Sequence, residues 1–258
     1  MLLVFVIRND KIAFGFFDGD ILKGHATVGA STTKTADEYA ILLQSILSFH
    51  GFQKEDFDSA IFASVAPALT ETLREAVRLL FGFRAHLIGS GIKTGLTILT
   101  ENPAELGGDL VASAVGALKS YTPPLILVDF GTAVTFSALD DRGAFLGCAI
   151  APGVSISATA LSASAELLPH AAPLAPKSVI GKNTAESMRC GSVFGAAAMI
   201  DGMLTRMEEQ MACSATVVCS GEEAALILPF CRHATTRDDT VALVGLSEIY
   251  KRNKRKAQ

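Results

Sequence analysis

Four short segments of the chain carry residue types that chemistry on a phosphate would use. The most informative is Asp129-Phe130-Gly131-Thr132, which runs on into Ala133-Val134-Thr135-Phe136. An apolar run ends there on a carboxylate and passes through Gly-Thr into a second β-like run. Glycine lets backbone approach a phosphate closely, threonine adds a hydroxyl, and aspartate holds a cation through water. The same residues also suit an ordinary hairpin with an Asx-type turn, and spacing leaves both readings open. This Asp-Phe-Gly is not the protein-kinase motif, because neither a GxGxxG loop nor His-Arg-Asp accompanies it.

Asp109 lies in Pro103-Ala104-Glu105-Leu106-Gly107-Gly108-Asp109, near the start of an expected helix. A carboxylate there satisfies unpaired N–H groups and the helix dipole, which makes it a cap. It is equally placed to act as a general base, taking the proton of a hydroxyl as a phosphoryl group transfers. Gly181-Lys182-Asn183-Thr184 fails as a P-loop: Pro176 stands where the first glycine belongs, and Asn183 where Ser or Thr belongs. Thr184 either caps the long helix that follows or contacts a substrate. Ser220-Gly221-Glu222 follows a strand and reads as a turn, or as a place where a ring or phosphate comes close. The five histidines show no metal spacing, and no Ser/His/Asp set can be assembled.

These segments need elements to hold them. The spacing predicts strands over residues 1–7, 11–17 and 21–28, with Asp18-Gly19-Asp20 as a hairpin turn. A helix follows Thr35, whose partner three positions on, Glu38, completes a capping box. Next come a buried strand, 59–64, and a helix opened by Pro67. A further helix is expected from about Pro103 to Leu118. The pattern then repeats: strands over 125–129, 132–139 and 144–150, helices including 184–211, a strand over 216–219, a short helix after Gly221, and a helix from Thr240 to about Asn253. Three strands and then alternating helix and strand, twice over, is the outline of a duplicated α/β unit. The expected division is 1–118 and 119–258. A nucleotide would sit in the cleft between the two halves, with turns giving backbone N–H groups to its phosphates.

Composition narrows the class. Of the 258 residues half are hydrophobic and 19% are charged, which fits a globular chain rather than a disordered one. A net charge of −4 gives no general attraction to nucleic acid. The one basic cluster, Lys251-Arg252-Asn253-Lys254-Arg255-Lys256, reads as a solvated, frayed terminus. Cys148, Cys190, Cys213, Cys219 and Cys231 are scattered and odd in number, as free thiols in a reducing cytoplasm would be. No leader or membrane span is expected, since the first apolar run stops at Arg8 after seven residues.

Taken in order, several segments resemble the type III pantothenate kinases of the actin/hexokinase-like superfamily. They are Lys34-Thr35-Ala36-Asp37-Glu38-Tyr39, Ser64-Val65-Ala66-Pro67, Gly91-Ile92-Lys93-Thr94-Gly95-Leu96 and Glu101-Asn102-Pro103. After them stand Asp129 to Phe136, Gly147 to Gly153, and Gly181 to Thr184 with Glu186-Ser187-Met188. The resemblance covers nearly the whole chain. It implies two actin/ribonuclease H-like α/β domains with an interdomain nucleotide cleft. It also implies ATP-dependent phosphorylation of pantothenate toward coenzyme A, Mg²⁺, a monovalent cation (K⁺ or NH₄⁺) and a cytoplasmic homodimer.

By position, Asp109 matches the family's catalytic base and Gly107 shapes the loop before it. Gly131 and Thr132 match a phosphate loop, Asp129 a cation ligand, and Thr184 a contact to pantothenate. Asn9 and Gly221 match nucleotide-binding positions.

The sequence also departs from the family pattern. The first phosphate loop, Asp-x-Gly-Asn-Thr in the family, is Val6-Ile7-Arg8-Asn9-Asp10 here, and Asn9 alone survives. Leu110 replaces the arginine that follows the base, Thr100 replaces an aromatic residue, and Glu222 replaces the second glycine of a Gly-Gly pair. Two other readings therefore stay open: a catalytically inactive relative that binds a ligand or partner, and a kinase for a different small alcohol.

Overall fold

The computed structural model describes residues 1–89 and 91–254. Its first sheet is built on β1 (Leu2–Ile7), every residue of which is buried. Next to it lie β2 (Lys11–Asp18), antiparallel, and β4 (Ser59–Ser64), parallel. The edges are β3 (Ile21–Gly29) and the two-residue β5 (His86–Leu87), giving the order β3-β2-β1-β4-β5. The second sheet centres on β6 (Leu125–Phe130), flanked by β7 (Ala133–Leu139), antiparallel, and β9 (Thr216–Ser220), parallel. With β8 (Phe145–Pro152) and β10 (Thr236–Arg237) at its edges, its order is β10-β9-β6-β7-β8. Each sheet is thus a three-stranded meander joined to two parallel strands. The duplication expected from the sequence is present in the topology.

Helix α1 (Ala36–Phe49) starts at the capping box: Glu38 N–H donates to Thr35 Oγ1 at 3.3 Å, and Thr35 N–H to Glu38 Oε2 at 2.7 Å. Helix α2 (Pro67–Phe81) opens on Pro67 and stops at Gly82, which takes φ of 81°. Their buried faces, with Tyr39, Leu43, Leu69 and Leu73, share one core with Phe5, Phe14 and Phe62. Phe5 and Phe62 stack at 4.7 Å across the β1–β4 pair.

Helix α3 (Gly108–Ser120) begins later than expected. Residues Pro103–Glu105 form a single 3-10 turn, and Leu106 is extended before the helix starts. Gly108 packs against Ala63 and Ile88, where a Cβ would lie 3.5 Å from each. Helix α7 (Val241–Lys254) crosses α3 so closely that Gly116 lies on the Val241 carbonyl and Gly245 on the Ala112 carbonyl. No side chain fits at that crossing.

The chain forms two compact units. One comprises Met1–Leu96, Glu101–Ser120 and the segment from Thr240 onward; the other comprises Thr97–Thr100 and Tyr121–Asp239. Relative to a cut at 118/119, the closing helix α7 thus belongs with the first unit, because it packs on α3, β1, β2 and β4. Segment 97–100 joins the second, where Ile98 bridges Phe145. The second unit also holds α4 (Val154–Ser164), α5 (Thr184–Met211) and the single turn α6 (Ala224–Ile227). Among the described residues no helix is long and apolar enough to cross a membrane.

Candidate active site

In the first unit the candidate residues gather at one end of the sheet. The parallel strands β1 and β4 finish in register, Ile7 beside Ser64, and Val65 N–H donates to the Ile7 carbonyl at 3.0 Å. The turn Arg8-Asn9-Asp10 leads from β1 into β2, closed by Arg8 N–H on the Lys11 carbonyl at 2.8 Å. Asn9 and Asp10 are exposed and Arg8 is half-buried. Val6 is 1% exposed, its side chain on the face of the sheet opposite Phe5 and Ile7.

The start of α3 lies on the same strand ends. A Cβ on Gly108 would touch Ala63, the register partner of Val6, and one on Gly107 would touch Val65. Asp109 follows in the first helical turn, half-buried, with Oδ1 accepting the N–H of Leu110 at 2.9 Å. A Cβ at position 107 would fall 2.6 Å from that same oxygen. Glycine at 107 therefore leaves room for the carboxylate where it is.

In the second unit Asp129, Gly131, Thr132 and Gly221 also come together at the strand ends. Asp129 and Ser220 are register partners on the parallel strands β6 and β9, and Ser220 Oγ donates to Asp129 Oδ1 at 2.5 Å. Gly131 N–H donates to the Ala133 carbonyl at 3.1 Å, which makes the turn into β7. Gly153 closes over that turn: its N–H donates to the Thr132 carbonyl at 3.0 Å, and any Cβ there would collide with the carbonyls of Gly131 and Thr132. Gly221 takes φ of 102° and lies against the Phe130 carbonyl, with its N–H on Asp239 Oδ1 at 2.8 Å. Gly153 and Gly221 thus pack their backbone directly on the carbonyls at the end of β6 and its turn, an approach that a side chain would prevent.

Of the two readings left open for Thr184, cap or substrate contact, the structure gives the cap to its neighbour. Asn183 is the cap, its Oδ1 accepting Glu186 N–H at 2.9 Å, because Asn183 and not Thr184 has the extended backbone that a cap requires. Thr184 is the first helical residue and is exposed.

Several residues at the second turn escaped sequence reasoning. Ser220 orients Asp129, and its only signal was its place ahead of Gly221. Glu223 accepts the N–H groups of Val154 and Ser155 at 3.1 and 2.9 Å, with Ser155 Oγ also bound, so it caps α4. Nothing in the sequence pairs residues 68 positions apart. Thr135, the register partner of Asp129 on β7, has a buried hydroxyl with no hydrogen-bond partner among the described residues.

Two sheets of the same strand order, the second with a carboxylate near the end of its central strand beside glycine turns, are an actin/hexokinase-like ATPase fold. Solved structures agree at the level of fold. A conserved Baf-family protein from Campylobacter jejuni superposes with a TM-score of 0.61 at 16% identity, covering 98% of this chain and 99% of its own. The (R)-2-hydroxyglutaryl-CoA dehydratase component A of Acidaminococcus fermentans gives 0.58 at 13% identity, covering 100% and 99%.

Residues 2–206 match the profile of the type III pantothenate kinase family. The type III pantothenate kinase of Moorella thermoacetica is 39% identical over 253 residues, covering 98% of this chain and all of that protein. That of an Exiguobacterium strain is 37% identical over 255 residues, covering 99% and 100%. The chain belongs to the type III pantothenate kinase family. That family's activity requires ATP and a divalent metal, and its substrate is a small molecule.

Proposed function

We propose that the protein transfers the γ-phosphoryl group of ATP to the primary hydroxyl of pantothenate, with Asp109 as the general base. The observation that carries this reading is the Asp109 carboxylate in the first turn of α3, beside Gly107, where any Cβ would displace it. Asp109 takes the hydroxyl proton as the oxygen bonds to the γ-phosphorus. The bond from that phosphorus to the bridging oxygen breaks, and ADP leaves with the electron pair. The turn Gly131-Thr132, backed by Gly153 and Gly221, offers bare backbone and a hydroxyl to the phosphates. Thr184, exposed at the head of α5, contacts pantothenate in this reading, and Asn9 contacts the nucleotide.

A divalent metal, when bound, neutralises charge on the phosphates. The first loop fits it poorly: Val6 has no oxygen and is buried, which leaves Asp10 as that loop's one carboxylate. Among the described residues no group of three or more His, Cys, Asp or Glu could hold a metal ion. No step is therefore assigned to a metal held by the first loop, and turnover slower than in relatives with an Asp-x-Gly-Asn-Thr loop follows. The second loop fits a monovalent cation better. Asp129 and Thr135 are register partners on β6 and β7, and a K⁺ or NH₄⁺ ion beside the Asp129 carboxylate would give the buried Thr135 hydroxyl a partner. A cytoplasmic homodimer completes the proposal.

The altered loop favours one second reading, a relative that binds its ligand without turning it over. A single assay separates the two: phosphoryl transfer from ATP to pantothenate with Mg²⁺ and K⁺, using Asp109→Asn as control. Turnover that vanishes in the control supports the kinase. A folded protein with no turnover above the control sinks it in favour of the second reading.

A further inference from the structure

The loop Gly91–Leu96 and the basic end of α7 have no part in the chemistry above, yet they build a site together. Helix α7 continues through Lys254, so residues 251–254 are not a frayed end; Arg255 and Lys256 lie outside the described residues. Asn253 fastens the loop to the helix, its Oδ1 accepting Lys93 N–H at 3.2 Å and its Nδ2 donating to the Lys93 carbonyl at 3.1 Å. Gly95, at φ of 75°, leaves room for the Arg252 guanidinium, which would collide with any Cβ there.

A cleft of about 750 Å³ opens between these parts, within the size range of small-molecule sites. Its lining includes the cations Lys93, Lys119, Lys251 and Arg252 and the carboxylates Asp20 and Glu248, so the charges sum to 4 − 2 = +2. The carboxylates are engaged by two of the lysines. Lys251 Nζ bonds to Asp20 and, at 3.1 Å, to Glu248, while Lys119 Nζ stands 3.7 Å from Glu248. Lys93 and Arg252 form no ion pair among the described residues, and both line the cleft. The site is remote from the base: Lys119 and Asp109 are ten residues apart on α3, about 15 Å along the helix.

We infer that this cleft is a second ligand site, and that it takes a small phosphate-class dianion, such as a diphosphate group, held by Arg252 and Lys93. A guanidinium suits the paired oxygens of a phosphate, and the lysine adds a compact second charge. The inference does not rest on the proposed kinase activity.

Inorganic pyrophosphate, without divalent metal, tests it on the full chain by hydrogen exchange and calorimetry. The expected result is slowed amide exchange at 91–96 and 248–253, with affinity that falls at least ten-fold in Lys93→Gln/Arg252→Gln. Asp109→Asn leaves both unchanged. Lys93→Gln alone, at an exposed side chain that should not disturb folding, weakens binding several-fold. Protection confined to the 129–135 turn, or affinity unchanged in both variants, overturns the inference.

Discussion

Any Cβ at position 107 would lie 2.6 Å from Asp109 Oδ1, inside the distance at which the two can coexist. Gly107→Ala therefore moves the carboxylate off its place beside the Leu110 amide without touching the core. The expected effect is a fall in kcat of about 10–100-fold with little change in Tm, since a misplacement near 1 Å costs that much. Asp109→Asn, which keeps the shape and loses the base, lowers kcat by roughly 10²–10⁴-fold. A Gly107→Ala enzyme with full kcat would remove the geometric argument for Asp109.

Val6 marks where the first loop changed. Val6→Asp alone puts a carboxylate at a position 1% exposed, so it lowers Tm, the burial costing several kcal/mol. Val6→Asp with Arg8→Gly and Asp10→Thr rebuilds the family's loop, and kcat/KM for ATP rises. Steady-state kinetics at varied Mg²⁺ checks it; no gain in the triple variant means that position 6 does not limit turnover.

The α3–α7 crossing has backbone on backbone at Gly116 and Gly245. Alanine at either position forces the helices apart, and relief by side-chain rotation is not available. A loss of about 2–4 kcal/mol is expected, seen as a lower urea midpoint.

Asp201 gathers the loop after Cys231. Its oxygens accept the N–H groups of Arg232 at 2.9 Å and His233 at 3.1 Å, and the His233 ring lies 3.3 Å away. Burial pushes its pKa up, but these donors outweigh that and hold it below the ordinary 3.8. A depressed carboxylate adds stability above its unfolded pKa and loses it as pH falls through the folded value. Wild-type stability should therefore drop below about pH 4, and Asp201→Asn should flatten that drop while costing about 1–3 kcal/mol at pH 7. Urea midpoints from pH 3 to 7 measure both.

Thiol reactivity should separate the cysteines. Burial pushes Cys219 up to about 12 and Cys231 up to about 11, and it raises Cys148 as well. At pH 8 iodoacetamide should modify exposed Cys213 first and leave Cys219 and Cys231 until the protein unfolds. Peptide mapping by mass spectrometry reads the order.

Much of the fold was legible locally. The capping box at Thr35, Pro67 at a helix start and the Asp-Gly turn before Ile21 each act within four residues, so a sequence displays them. The helix expected from Pro103 starts only at Gly108, because Pro103–Glu105 close a single 3-10 turn and Leu106 is extended. Thr184 was left open between a cap and a substrate contact; the extended backbone of Asn183 makes that residue the cap. The basic end of the chain looked like solvated charge, and only its docking on residues 93–95 gave it a pocket.

By itself the sequence carried the resemblance to the family and most of the strand–helix order, because motif order, residue type and near-neighbour spacing are visible along the chain. Tertiary structure alone decided that Ser220 holds Asp129, that Glu223 caps α4, that α7 completes the first unit, and that Arg252 meets Gly95. Each of those joins residues brought together by strand pairing or helix crossing, contacts that no local pattern encodes.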